Sequence, residues 1–186
     1  MSMTRALVAF VLLASAGLAR AAEPTPAPAP LAPTPPPAPE LLPVGAPAPS
    51  FTAMAHDGTK FDLAKLKGKY VVLYFYPKDD TTGCTKQACD IRDNWGKLQK
   101  AGVAVFGVST QDNTSHKAFA EKYKLPFPLL PDDKGEIAAK YKVPVVDGKA
   151  RRITYLIGKD GKVKHVWPKA PTVGQANEIL AQIETT

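Results

Sequence analysis

The sequence predicts an α/β fold, with a central mixed sheet flanked by helices. Three observations carry that expectation. Two short runs, YVVLYFY (Tyr70–Tyr76) and VAVFGVS (Val103–Ser109), are apolar almost throughout and rich in β-formers, as strands buried on both faces are. A segment of helical period lies between them, and two strands joined by one helix run parallel with a right-handed crossover. A later run, RITYLIGKDGKVKHVW (Arg152–Trp167), turns back at Lys159-Asp160-Gly161 and reads as a hairpin.

The chain begins with a targeting pattern. Arg5 precedes the apolar stretch Ala6–Ala19, and Ala19-Arg20-Ala21 has the small-x-small form of a cleavage site. The stretch is shorter than the ~20 apolar residues a membrane span requires. Residues 1–21 are therefore expected to be a secretory signal, and the mature protein is expected to be exported, periplasmic or extracellular, with no stable membrane insertion. No cysteine lies near the cleavage site, so a lipid anchor is unsupported. Residues 23–49 then hold 12 of the 19 prolines. Proline removes a donor and fixes φ, which excludes helix and central strand. Residues 22–43 read as a disordered leader, and residues 44–186 as one domain. Some 140 residues, on the order of a usual domain, can bury a core without staples.

Charge excludes one class of partner. The full chain carries +7, and loss of residues 1–21 removes Arg5 and Arg20, leaving +5. The lysines are interleaved with acids and no basic–aromatic stripe occurs, so no nucleic-acid site is expected.

Within the domain, Asp57-Gly58 between short alternating runs marks a first hairpin over Phe51–Leu63. Pro77 closes the Tyr70–Tyr76 strand. From Thr85 to Ala101, Ala88, Ile91, Trp95 and Leu98 recur at steps of three and four, and Gly102 ends that helix. Ser115–Leu125 reads as a helix stopped before Pro126. A short helix follows near Gly135–Tyr141, and an amphipathic one closes the chain over Val173–Ile183. The helix aromatics and Trp95 read as core. His56, His116 and His165 are scattered and read as surface residues, so neither a metal nor another cofactor is expected.

The chemistry gathers in PKDDTTGCTKQAC (Pro77–Cys89), which holds both cysteines of the chain. In open α/β sheets the functional site lies past the carboxyl ends of the strands, and Cys84 falls there. A thiol at a helix N-terminus meets free backbone N–H groups and the positive end of the dipole, which favours the nucleophilic thiolate. Gly83 allows a tight turn and close approach of a substrate. Lys78, Asp79, Asp80 and Lys86 are expected to be mostly solvated.

Cys89 lies five residues on, in what reads as the same helix. That offset separates the two by ~7.5 Å along the axis, beyond the ~4.4–6.8 Å between Cα atoms that a disulfide spans. Either the bond never forms, or the first turns of the helix unwind when it does. A switching disulfide fits this spacing better than a static one.

Pro77, Thr81 and Cys84 form P-x-x-x-T-x-x-C, which resembles the active-site motif of the peroxiredoxins. The longer run YFYPKDDTTGCTKQACDIRDNW is similar to the peroxiredoxin Q subgroup, the bacterioferritin comigratory proteins. GAPAPSFTA, VFGVSTQD, FAEKYKLPFPLLPD and RITYLIGKDGKV extend the resemblance over Val44–Thr186. One position departs: Thr82 stands where the subgroup usually has proline. The resemblance implies a thioredoxin-like fold and a monomer. It implies a thiol peroxidase for hydrogen peroxide and organic hydroperoxides, recycled by a thioredoxin-like dithiol. It further implies Cys84 as peroxidatic nucleophile, Cys89 as resolving cysteine, and Thr81, Gly83 and Arg152 as substrate-binding groups. Arg151 is the rival to Arg152, but its side chain should face the other side of the strand.

Two other classes remain. A thiol–disulfide oxidoreductase of thioredoxin type usually has C-x-x-C, not the C-x-x-x-x-C present here. A non-catalytic binding module on the same fold would leave both thiols inert.

Overall fold

The structure, a computed structural model, describes Glu40–Glu184. The targeting pattern and most of the proline-rich leader lie outside the described residues. Leu41 and Leu42 pack against the core ahead of Val44, and the Leu42 amide donates to the Tyr155 hydroxyl.

The first hairpin forms as expected, with β1 (Thr52–Met54) antiparallel to β2 (Lys60–Asp62). Asp62 caps a 3-10 turn over Leu63–Leu66 by accepting from the Ala64 amide. The central sheet follows: β3 (Tyr70–Phe75), β4 (Val103–Ser109), β5 (Leu129–Pro131), β8 (Ile153–Ile157) and β9 (Val163–Trp167). Its spatial order is β5-β4-β3-β8-β9. β3, β4 and β5 run parallel, while β8 is antiparallel to both β3 and β9.

The YVVLYFY run shows why a continuous apolar strand is needed. Val71, Leu73 and Phe75 enter one core layer, with Phe51, Phe61, Tyr141 and Tyr155. Val72, Tyr74 and Tyr76 enter the other, with Cys84, Ala88, Ile91, Phe119 and Ile179. Successive side chains of a strand point to opposite faces, and here both faces are covered.

The second layer is built by α1 (Thr82–Asp93), α2 (Trp95–Lys100), α3 (Asn113–Tyr123) and α5 (Gln175–Glu184). The first receives α4 (Glu136–Lys140) through Ile137 and Ala138. A two-stranded ribbon of β6 (Val145–Val146) and β7 (Lys149–Ala150) completes the fold. Among the described residues no helix is long and apolar enough to cross a membrane.

Several elements differ from the sequence expectation. The helix expected over Thr85–Ala101 is two helices, and the first begins at Thr82. The break is at Asn94, whose side-chain amide donates to the Asp90 carbonyl at 2.9 Å. Asn competes for backbone partners in this way, which is why it interrupts helices. The edge strand β5 and the β6–β7 ribbon had no sequence signal, being two or three residues long. Gly107 in β4 is required by packing: a Cβ there would lie 2.6 Å from the Tyr74 hydroxyl and from Leu129.

Candidate active site

The site is assembled by strand direction. β3 delivers the chain to Pro77, and α1 begins five residues later. Because β8 runs antiparallel to β3, its first residue, Ile153, pairs with the last, Phe75. Arg152, just ahead of β8, therefore sits at the end of the sheet where β3 releases the loop. That brings residues 68 positions apart into contact: Arg152 Nη2 donates to Cys84 Sγ at 3.2 Å. Arg151 is exposed, and the bond to the sulfur is made by Arg152.

Cys84 lies in the first turn of α1 and is buried, and Cys89 is half-buried five residues on in the same helix. Both thiols are free. The amides of Thr82, Gly83 and Cys84 have no intrahelical acceptor, as at any helix start. No side chain caps them, and the Thr81 hydroxyl donates to the Lys78 carbonyl at 3.1 Å. Thr81 is exposed, and its oxygen retains lone pairs that can accept. Thr82 is the first residue of the helix, a position that favours proline without requiring it. Pro77 is half-buried at the strand exit. Gly83 lies under the guanidinium: a Cβ there would stand 3.1 Å from Arg152 Nη2.

The arrangement is an uncapped helix start, a buried thiol within it, and a guanidinium directed at the sulfur. The AhpC/TSA family model matches residues 44–166. This chain belongs to the AhpC/TSA family. A Coxiella burnetii chain named as a peroxiredoxin bcp is 42% identical over 149 residues, covering 76% of this chain and 99% of that one. The chloroplastic peroxiredoxin Q of Triticum aestivum is 47% identical over 125 residues, covering 66% of this chain. Those residues span 58% of the wheat protein's length. Among solved structures, the peroxidoxin BcpB of Mycobacterium tuberculosis matches with a TM-score of 0.72 at 31% identity, over 77% of this chain and 97% of that one. Within the family the chain falls in the peroxiredoxin Q, or bacterioferritin comigratory, group, and its fold is thioredoxin-like. It is a thiol-dependent peroxidase.

Two polar networks of this peroxiredoxin carried no signal that spacing alone could reveal. In the first, Arg152 Nη1 donates to Gln87 Oε1, and Gln87 Nε2 donates to Gln175 Oε1. Gln175 Nε2 in turn donates to Thr154 Oγ1 at 2.6 Å. Gln87, Thr154 and Gln175 are fully buried.

The second corrects two expectations. Asp79 is buried, not solvated, and His116 is completely buried, not a surface residue. Asp79 accepts from the Tyr76 hydroxyl at 2.6 Å and the Ser115 hydroxyl at 2.6 Å, and pairs with His116 Nδ1 at 2.8 Å. Burial alone would raise the Asp79 pKa, but the bonds and charge of His116, with Ser115 and Tyr76, hold it below the usual carboxylate value. The network ties the loop ahead of Cys84 to the start of α3. Lys78, Asp80 and Lys86 are exposed as expected, and Asp80 bonds Lys122 and Tyr123 of α3.

Tyr74 packs beneath the site. Burial, then the charges of Asp79 and Cys84, push its phenol well above the usual range, so it stays neutral. Trp95 is half-buried against Phe127. His56 is half-buried and its Nδ1 accepts from the Leu129 amide at 3.0 Å. Among the described residues no cluster of His, Cys, Asp and Glu could hold a metal.

Proposed function

We propose that Cys84 is the peroxidatic nucleophile and Cys89 the cysteine that resolves it. The observation that carries this is the 3.2 Å hydrogen bond from Arg152 to the Cys84 sulfur at an uncapped helix start. The Cys84 thiolate attacks the terminal oxygen of a hydroperoxide. The S–O bond forms, the O–O bond breaks, and the alkoxide or hydroxide leaves and takes up a proton. Charge grows on that leaving oxygen. The guanidinium and the free amides of Gly83 and Cys84 stabilise it, a contribution of ~3–4 kcal/mol for one such donor. The lone pairs of Thr81 accept a hydrogen bond from the bound peroxide, whose proton stays on the oxygen transferred to sulfur, and Pro77 fixes the entry of the loop.

Cys84 is then a sulfenic acid. The first turns of α1 unwind, and the Cys89 sulfur attacks the Cys84 sulfur. The S–S bond forms, the S–O bond breaks, and water leaves with the thiol proton. A thioredoxin-like dithiol reduces this disulfide by exchange, becoming oxidised itself. Hydrogen peroxide and organic hydroperoxides are the substrates. The Ala6–Ala19 run and the Ala19-Arg20-Ala21 site support export of the domain behind a proline-rich leader, and the resemblance to the peroxiredoxin Q group supports a monomer.

The test is mass spectrometry after one equivalent of hydrogen peroxide. Loss of two hydrogens, mapped to a Cys84–Cys89 crosslink, is expected. Cys84→Ser should abolish peroxide consumption, and Cys89→Ser should leave a single turnover that traps a sulfenic acid. Turnover by the Cys84→Ser protein, or two free thiols after oxidation of the native chain, overturns the scheme.

A further inference from the structure

The buried relay behind Arg152 has a direction and a closed path. Arginine only donates, so Gln87 must present its carbonyl to Arg152 and its NH₂ to Gln175. Gln175 must then present its carbonyl to Gln87 and its NH₂ to Thr154. Thr154 is in β8, two residues on from Arg152, which immediately precedes that strand. The path thus starts at Arg152, just ahead of β8, crosses α1 at Gln87 and α5 at Gln175, and ends in β8 at Thr154. Each amide in it is fully buried, so its partners are not replaced by solvent when a bond is lost.

Gln87 lies between Cys84 and Cys89. Bringing the two sulfurs together requires residues 84–89 to leave the helix, and Gln87 cannot then keep its bonds to both Arg152 and Gln175. We infer that Gln175 is a positioning residue that acts in opposite senses on the two halves of the reaction. Through Gln87 it holds the Arg152 guanidinium at Cys84, which speeds attack on peroxide. Through the same bond it ties α1 shut, which slows attack by Cys89. This rests on Cys84 being the nucleophile and Cys89 the resolving cysteine.

Gln175→Met keeps the volume and removes the acceptor. The reaction of Cys84 with hydrogen peroxide is followed by rapid quench in a Cys89→Ser background. Closure of the Cys84–Cys89 disulfide is followed in the chain that keeps both cysteines. Loss of one buried hydrogen bond should slow the first step about fivefold and speed the second about fivefold. Ile179→Val, in the same helix and equally buried, is the control for lost packing alone and should leave both rates within about twofold. Thr154→Val removes the far end of the relay with little change of shape. It should give the same two signs at smaller amplitude, and it serves if Gln175→Met does not fold. A native chain that forms the Cys84–Cys89 disulfide while these variants leave both rates unchanged, or move both in one direction, overturns the role of Gln175. A native chain that forms no such disulfide instead overturns the cysteine assignment beneath it.

Discussion

Arg152 makes two different hydrogen bonds from one planar group, Nη1 to Gln87 and Nη2 to Cys84. Lysine carries its charge at a point and cannot reproduce that fork. Arg152→Lys should therefore lower the rate of the peroxide step by about 10²–10³, the usual cost of losing a donor to developing charge. It should also destabilise the fold by about 1–3 kcal/mol, because the Gln87 carbonyl is left buried and unpaired. Stopped-flow rates and a urea midpoint measure the two effects separately, and a lysine variant of native rate would show that charge alone suffices. Gly83 meets the same group from below. A methyl at 3.1 Å from Nη2 must push the guanidinium, which Gln87 holds from the other side. Gly83→Ala is expected to slow the peroxide step while leaving the far-ultraviolet spectrum unchanged; an unaltered rate would show that Arg152 can give way.

At the scale of elements, α1 is held at both ends by other helices. Asp79 and Asp80, just ahead of it, bond α3. Asp90, near its end, accepts from the Gly174 amide at 2.8 Å and the Ala176 amide at 3.0 Å, and so caps α5 from outside that helix. Asp90→Asn keeps one carbonyl oxygen but loses the charge at the positive end of α5. A loss of about 1–2 kcal/mol is expected, within the range of helix caps. It is read as a lowered urea midpoint, and an unchanged midpoint would show that water caps α5 equally well. These links also explain what the sequence could and could not reveal. β3 and β4 were legible as continuous apolar runs, both hairpins from their turn residues, and α5 from its apolar stripe. Cys84 and Gly83 were legible because they lie in one motif, and Arg152 because it opens the separate run RITYLIGKDGKV. Asn94 breaks a helix whose apolar period runs on unbroken, so periodicity missed it. Asp79 and His116 were misjudged because a buried Asp–His hydrogen bond has no local signature: each looks solvated until the partner 37 residues away is known. Gln175 was invisible for the same reason.

Over the described residues the domain is a sheet with two apolar layers, and its buried acids give it a definite response to pH. Asp79 has its pKa held below the usual value, so between that value and the ordinary ~3.9 of an unfolded aspartate the unfolded chain binds more protons. Its contribution is complete above about pH 4 and is lost as pH falls through the folded-state pKa. Asp132 has the opposite sign. Burial raises its pKa despite the Ile137 and Ala138 amides it accepts from, so its protonation in acid favours the folded state. The acid limb of the wild-type stability curve is therefore a sum of opposed contributions, and the Asp79 part is isolated by difference. Asp79→Asn retains one carbonyl for His116 or Ser115 but loses the charge and an acceptor. It should cost about 1–3 kcal/mol at pH 7. That deficit should shrink as pH falls below about 4, where the unfolded wild-type chain takes up the Asp79 proton before the folded one does. Urea midpoints of the two proteins at pH 7 and pH 3 measure the gap at each end. A gap as wide at pH 3 as at pH 7 would mean that Asp79 acts through packing, with its charge contributing nothing to the latch between the Cys84 loop and α3.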